Sequence, residues 1–546
     1  MCGIWQLFYN KPFNNKQLFD NLQQRGPDNS NYINNLHNTI LGFHRLAIND
    51  ISNKGIQPFY YTYKNYNYTL LCNGEIYNYK HLLNLTKYIP TSTSDCEVLL
   101  PYFVICCYDN IETFLNGLNG EFSLIITITN TVTSTRKIYI ATDPLSLRPL
   151  FYQYYDTGLL VSSLLKGLSK DYKSYRLLQS QFIEYLQRAD GKILISASKI
   201  YYKYSDCQLL RFNETPELYH SIVKCLFSCV NKRLSVDRPL CCLLSGGLDS
   251  SLIAAITQKI LKQYSKFNTL HTFSIGMKGS NDLEYAKIVA THIGSVHTEV
   301  FYTKEEALNL VDKVIYECET YDITTIRASI PQYILGKYIS ENTEFKVVLN
   351  GDGADEIAMG YLYFYNAPSE DIAQKESIFL IKNISKFDGL RVDRTLSSNG
   401  LEARFPFLDK EFVSLYLNID ASLKIPTDSR IEKYLLRSAF NYVYANDPLI
   451  PPNVLWRKKE AFSDGVSSVN DSWYTILNNH FKDMEIEDKQ FNHVTPISKE
   501  SMYYRLKFDE YFGKNAEKCI PYFWMPQWSD TKDPSARTLS IYINRL

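Results

Sequence analysis

Two rhythms of apolar positions run along the chain. Up to about residue 190, short β-like runs alternate with turns, as in "NTILGFHRLAI" (38–48), "YTLLCNGEIY" (68–77), "FSLIITITN" (122–130), "RKIYIATD" (136–143) and "GLLVSS" (158–163). Strands spaced this closely predict packed antiparallel sheets. Between them, "SDCEVLLPYFVICCY" (94–108) predicts a helical piece, and residues 188–220 read as a strand-rich exit followed by a linker. From about residue 215 strands and helices take turns. The pattern predicts a buried strand in "RPLCCLL" (238–244) and a helix in "SSLIAAITQKILKQ" (250–263), with Ile253, Ile256 and Ile260 on one face. It then predicts a strand in "LHTFSIG" (270–276), a helix over 282–294, and further strands over 297–302 and 345–350. Such alternation argues for a parallel α/β sheet. Later segments, including "IEKYLLRSAFNYVY" (431–444), read as mostly helical. The expected organisation is a two-domain α/β protein, with a first domain over 1–190, a linker over 191–214 and a second domain over 215–546.

Composition narrows the function. A chain of 546 residues exceeds what one core usually holds. Lys+Arg 58 balance Asp+Glu 58 with no basic block, so the footprint of a nucleic-acid binder is missing. No apolar run approaches the ~18–20 residues of a membrane helix, and no signal peptide is apparent at the start. The 12 cysteines are scattered without CxxC spacing and read as reduced thiols, which points to the cytoplasm.

Two loops carry the chemistry of the second half. In "CCLLSGGLDSS" (241–251) a buried strand ends, Ser245, Gly246 and Gly247 turn, and a helix begins near Asp249. Backbone N–H groups at a glycine turn and a helix N-terminus converge on an anion, and the hydroxyls of Ser245, Ser250 and Ser251 can donate to it. Asp249 fits as a ligand for Mg²⁺ bridging phosphates. A plain strand-to-helix bend remains the alternative. In "FKVVLNGDGADE" (345–356) another apolar strand runs into glycines, with Asp352 and Asp355 after it. Both loops belong at the carboxyl edge of the sheet, where Asp249 and Asp355 can share the metal.

In the first half, Cys2 becomes both a thiol nucleophile and a free α-amine once Met1 is removed, and the amine can act as the base near neutral pH. Arg45 can grip a substrate carboxylate, Asn73 and the N–H of Gly74 can form an oxyanion hole, and Asp95 can receive an ammonium. The same residues also read as surface charges and, for Asn73-Gly74, as a hairpin turn.

The motifs "MCGI", "RGPD" (25–28), "HRLAI" (44–48), "NGEIYN" (73–78), "SDCEV" (94–98) and "DPLSLRPLFY" (143–152) resemble the class II glutamine amidotransferases. With "LLSGGLDSSL" (243–252), "ETYDITTIRAS" (319–329), "GDGADE" (351–356), "GYLYFYNAP" (360–368), "LEARFPFLD" (401–409) and "WRKKEAFSDGV" (456–466), the chain resembles the glutamine-hydrolysing asparagine synthetases nearly end to end. The resemblance implies an N-terminal αββα domain of the N-terminal-nucleophile type, with antiparallel sheets. It also implies a C-terminal parallel α/β domain of the ATP-pyrophosphatase type with added helices, and a homodimer. It implies hydrolysis of glutamine at Cys2 and passage of ammonia through an internal tunnel. It further implies that aspartate is adenylated by ATP with Mg²⁺ and that ammonia displaces AMP to give asparagine. By position Arg45, Leu46, Ala47, Ile48, Asn49, Asn73, Gly74, Glu75 and Asp95 would bind glutamine. Leu243, Ile275, Asn350 and Gly351 would join the Ser245–Ser250 loop at the nucleotide. Thr324, Thr325 and Arg327 would lie near the aspartate or the phosphates. Asp352 would be the acid at the reaction centre. Lys459, in a charge run that otherwise reads as a solvated face, would stabilise charge during adenylation.

The chain departs from that pattern at four places. Asp352 stands where a Glu is usual in the animal branch, Thr142 replaces an Arg, Ser146 a Gly and Leu164 an acidic residue. These substitutions bear on how tightly two activities are coupled. Two alternatives therefore stay open: an ammonia-dependent synthetase with an impaired glutaminase half, and a non-catalytic family member.

Overall fold

The computed structural model describes the chain except for residues 10–14, 36–37, 156–157, 205–213, 264–268, 460–464, 468–471, 488 and 541–546. Two compact units emerge. The first comprises Met1–Lys203 with the short segments Ser397–Leu401 and Asp509–Cys519; the second comprises Tyr204–Leu396, Glu402–Phe508 and Ile520–Leu546. Among the described residues no helix is long and apolar enough to cross a membrane.

The first unit stacks two six-stranded antiparallel sheets. One runs in spatial order Tyr175–Arg176, Phe151–Tyr155, Gly158–Ser162, Gly3–Tyr9, Thr39–Arg45, Asn29–Asn35. The other runs Ile193–Ile200, Gln181–Gln187, Arg136–Thr142, Gly120–Asn130, Tyr66–Ile76, Phe59–Tyr63. Side chains of a strand point to alternate faces, so one strand can serve two cores. In Tyr66–Ile76, Leu71 joins Ile4, Phe8, Phe43 and Ile125 between the sheets, whereas Leu70 and Cys72 meet Phe103 and Phe114 of the helical layer outside. The helical piece expected over 94–108 begins only at Leu99 and continues as a π-turn over Tyr102–Cys106. Pro101 has no N–H to offer the α-ladder, which accounts for the shift. The strand Ile193–Ile200 lies beyond the boundary expected at 190, yet it pairs along Gln181–Gln187, so the first unit runs on to Lys203. Of the expected linker, residues 205–213 lie outside the described residues.

A five-stranded parallel sheet organises the second unit, in the order Val296–Phe301, His271–Gly276, Leu240–Leu243, Val347–Leu349, Glu402–Arg404. Four of its strands follow the apolar runs; the fifth, inside "LEARFPFLD", is too short to show a period. The helix Leu248–Leu261 buries Ile253, Ile256 and Ile260 as expected, and also Thr257 and Gln258. From Leu240–Leu243 the chain steps outward to one side of the sheet, and later re-enters on the other side at Val347–Leu349. These two strands are neighbours in register, Cys242 beside Leu349, so the loops that follow them emerge together at the carboxyl edge. That is a topological switch point, where open α/β sheets bind ligands.

Candidate active site

In the first unit, the strand Gly3–Tyr9 is hydrogen-bonded on both sides, which fixes the residue before it. The half-buried Cys2 packs against the core between the sheets, with its Sγ 3.7 Å from the Leu46 carbonyl oxygen. Arg25, from the "RGPD" turn, donates its Nε–H to the Cys2 carbonyl at 3.0 Å. Asp28 of the same turn accepts the Ala47 N–H at 2.8 Å and thereby holds the buried Leu46–Ile48 loop beside the thiol.

Asn73 and Gly74 do not form a hairpin turn. They lie inside the strand Tyr66–Ile76, opposite Ser123 and Phe122. Burial of Leu71, Cys72 and Ile76 outweighs the local turn preference. Gly74 has φ +146°, and a Cβ there would stand 2.0 Å from the Glu121 carbonyl oxygen. Gly74→Ala is therefore expected to destabilise the protein by about 1–3 kcal/mol and to impair glutamine hydrolysis; an unchanged urea midpoint would refute this close packing. Neither the amide nitrogen nor the oxygen of the fully buried Asn73 has a hydrogen-bond partner within the protein, an arrangement that costs about 1–3 kcal/mol. Asn49 donates to Glu75 at 2.6 Å, and Asp95 accepts the Ile76 N–H at 2.7 Å. The guanidinium of Arg45 is placed differently from expectation. It donates to the carbonyls of Asn49, Asp50 and Ser52 and braces that loop, because three backbone oxygens converge on it.

Thr142 and Ser146 fall nearby. Ser146, at a position where the related pattern has Gly, adopts φ +54°, which explains why a residue without Cβ is usual there. Thr142 turns its hydroxyl to the Leu178 carbonyl, and Leu164 is buried.

In the second unit both loops open into one cavity of about 250 Å³, lined by Leu243, Ser245, Gly247, Asp249, Ser250, Ile275, Asn350, Gly351, Asp352, Asp355 and Lys459 among others. Gly246 supports the loop from behind with φ +73°; a Cβ there would be 2.4 Å from the Ala286 nitrogen. The Ser250 hydroxyl accepts the Ser245 N–H at 3.1 Å and lies 3.0 Å from the Ser245 hydroxyl. No side chain caps the helix that starts at Leu248, which leaves its N-terminal N–H groups for a ligand.

Charge is concentrated here. The Lys433 ammonium stands between Asp249 and Asp355, 2.6 Å from the latter, and Lys459 pairs with the other oxygen of Asp355. Burial pushes the Asp355 carboxyl up, but the two lysines more than reverse that and hold it well below the usual carboxylate range. Burial lowers Lys459, and the charges of Asp355 and Asp249 raise it beyond its ordinary value. Asp352 is raised, chiefly by burial, against the pull of its partner Arg391. Arg391 also reaches Asp388 at 2.9 Å. One oxygen of Asp249 is buried without a hydrogen-bond partner. Among the described residues no group of three or more His, Cys, Asp or Glu could hold a metal by itself. With its unpartnered oxygen, Asp249 and the neighbouring Asp355 could hold a cation that takes most of its ligands from phosphate and water, as Mg²⁺ does.

Two expected site residues are engaged elsewhere. The Thr325 hydroxyl donates to Asp322 at 2.7 Å, as part of the cap of helix Ile323–Asn342. Arg327 is held by Glu500 and Asp533, whose carboxylates attract its guanidinium more strongly than an open cavity does. Thr324 does line the cavity, with its hydroxyl buried and unpartnered. Sequence reasoning missed Lys433, Asp388, Arg391 and Arg457. Lys433 sits at φ +60° just before the helix Tyr434–Val443, a conformation without a sequence signal. Arg457 donates to the Gly246 carbonyl at 3.2 Å and to Asp282 at 3.1 Å; its position next to "KK" was the available clue. The rest of that motif, 460–464, lies outside the described residues.

Comparison with known proteins agrees with both halves. A family model described as a glutamine amidotransferase domain matches residues 1–202, and one described as asparagine synthase matches 222–373 and 367–530. The chain is 39% identical to the glutamine-hydrolysing asparagine synthetase of Gallus gallus over 572 residues, covering 99% of each chain. It is 38% identical to that of Homo sapiens over 577 residues, again covering 99% of each. The chain belongs to the glutamine-hydrolysing asparagine synthetase family.

Proposed function

We propose that the first unit releases ammonia from glutamine and that the second uses it to convert aspartate to asparagine through an aspartyl-adenylate. Glutamate, AMP and pyrophosphate are the other products. At the first site the Cys2 thiol attacks the glutamine amide carbon, with the α-amine exposed by loss of Met1 as base. The oxyanion is received by Asn73 Nδ2 and the Gly74 N–H; the unpartnered amide of Asn73 supports this role.

At the second site Ser245, Gly247 and Ser250 hold the phosphates, and the aspartate side-chain carboxylate attacks the α-phosphorus. Asp249 and Asp355 would hold Mg²⁺, which when bound neutralises phosphate charge. Lys459 and Lys433 offset the negative charge that gathers on phosphorus. Asp352, raised by burial, takes the proton of the incoming ammonia.

The observation that carries this reading is the convergence of the serine-glycine loop with Asp249, Asp355, Lys433 and Lys459 in one cavity. Glutamine, aspartate and ATP with Mg²⁺ should yield asparagine, AMP and pyrophosphate in equal amounts. ADP and phosphate in their place would refute adenylation. Ammonia use without glutamine use would favour the impaired-glutaminase alternative instead.

A further inference from the structure

We infer that Asp533 and Arg327 form a latch that fastens one wall of the nucleotide cavity, which makes both of them positioning residues for the reaction proposed above. Arg327 lies on the helix Ile323–Asn342 and is 4% exposed. One edge of its guanidinium meets Glu500 at 2.9 and 2.6 Å, and Glu500 is itself held by the Tyr504 hydroxyl at 2.8 Å. Its carbonyl receives the Trp473 indole N–H at 3.1 Å, and its guanidinium carbon lies 5.1 Å from the Tyr474 ring centre. Arg327 is thus fixed before anything else meets it. Its remaining donors reach Asp533 at 2.8 and 2.9 Å.

Asp533 belongs to the stretch 520–535, which contains no helix or strand. Such a stretch has no ladder to define its path, yet Trp524 and Pro534 form part of the cavity wall, as does Ala536 just beyond it. Polar contacts hold it at several points, including Asn366, whose amide donates to the Trp528 carbonyl at 3.3 Å, and two of these contacts come from one helix. Near one end the Trp524 N–H donates to Asp322 at 2.7 Å, and near the other Asp533 meets Arg327. Asp322 and Arg327 belong to the same end of one helix, with the cavity-lining Thr324 between them. The helix therefore grips the wall at both ends and faces the cavity in the middle. The two grips differ. Asp322 is fully buried, whereas the Asp533 side chain is 20% exposed. Asp533 is the end that releases, so the wall is free to swing for substrate entry and refasten over bound nucleotide.

Asp533→Asn in the full-length protein tests this. It keeps the shape and removes the charge that holds the guanidinium fork. The KM for ATP in ammonia-supported synthesis should rise about tenfold, with a smaller change in kcat, and glutamine hydrolysis should stay as in the wild type. Trypsin should cut faster after Lys532 in the variant. ATP with Mg²⁺ and aspartate should slow that cut strongly in the wild type and weakly in the variant. Asp533→Glu, which restores the charge, should recover most of both effects. The latch is refuted if KM and cleavage both stay within about twofold of wild type. A raised KM without faster cleavage also refutes it, since Asp533 would then act on substrate directly. If the wild type makes no asparagine at all, the functional reading fails, and nucleotide protection of the Lys532 cut still decides the latch.

Discussion

Asp355→Asn should lower ammonia-supported asparagine formation by about 10²- to 10⁴-fold. One carboxylate here serves two ammonium groups, Lys433 on one oxygen and Lys459 on the other. An amide keeps a single acceptor and turns an N–H donor toward the second lysine. Removing one partner from a buried ion pair costs about 3–5 kcal/mol, because the other charge is left without compensation. Both lysines would then relax from the geometry that the proposed reaction needs, so the loss falls on the barrier, at about tenfold for each 1.36 kcal/mol. Glutamine hydrolysis is the internal control, as Asp355 belongs to the second unit alone. Synthesis retained within tenfold would mean that the lysines are held in place by something other than Asp355.

Cys2→Ala should abolish glutamine-supported synthesis, by about 10⁴-fold or more, while ammonia-supported synthesis stays within about twofold. The alanine keeps the strand Gly3–Tyr9 and its pairing on both sides, and it deletes only the sulfur. Cys72 and Cys96 cannot substitute, as both are buried in the core on the other face of the sheet that carries Cys72. Assays with glutamine or with ammonium chloride as the nitrogen source, on the same preparation, separate the outcomes. Glutamine use that survives in the variant would remove Cys2 from the chemistry.

Much of the fold was legible because period-2 and period-3.6 patterns are local properties. The apolar runs marked four of the five parallel strands, and the glycines after Leu243 marked a loop that lines the cavity. The fifth strand, Glu402–Arg404, has three residues, too few to display a period. Asn73-Gly74 looked like a turn because turn preference is local, whereas the pairing with Gly120–Asn130 that overrides it is not. The same limit hid Lys433, which is 184 residues from its partner Asp249. It also hid the partners of Arg327, at separations of 173 and 206. Charge pairs of this range leave no trace in composition or spacing. Asp249, Asp352 and Asp355 stood out in the two glycine loops themselves, whereas Lys459 came into view only through family resemblance, which carries tertiary information that a single pattern lacks.

The ammonium set between Asp249 and Asp355 has a thermodynamic consequence. Before nucleotide arrives, the site has already solved its own charge problem, so binding exchanges one set of ion pairs for another. The nucleotide affinity is then expected to be a difference between two large quantities of similar kind, more modest than the number of cations in the cavity implies. In the proposed reaction, most of the attraction from those cations would be felt only as phosphorus gains negative charge, where it would speed the reaction instead of tightening the resting complex.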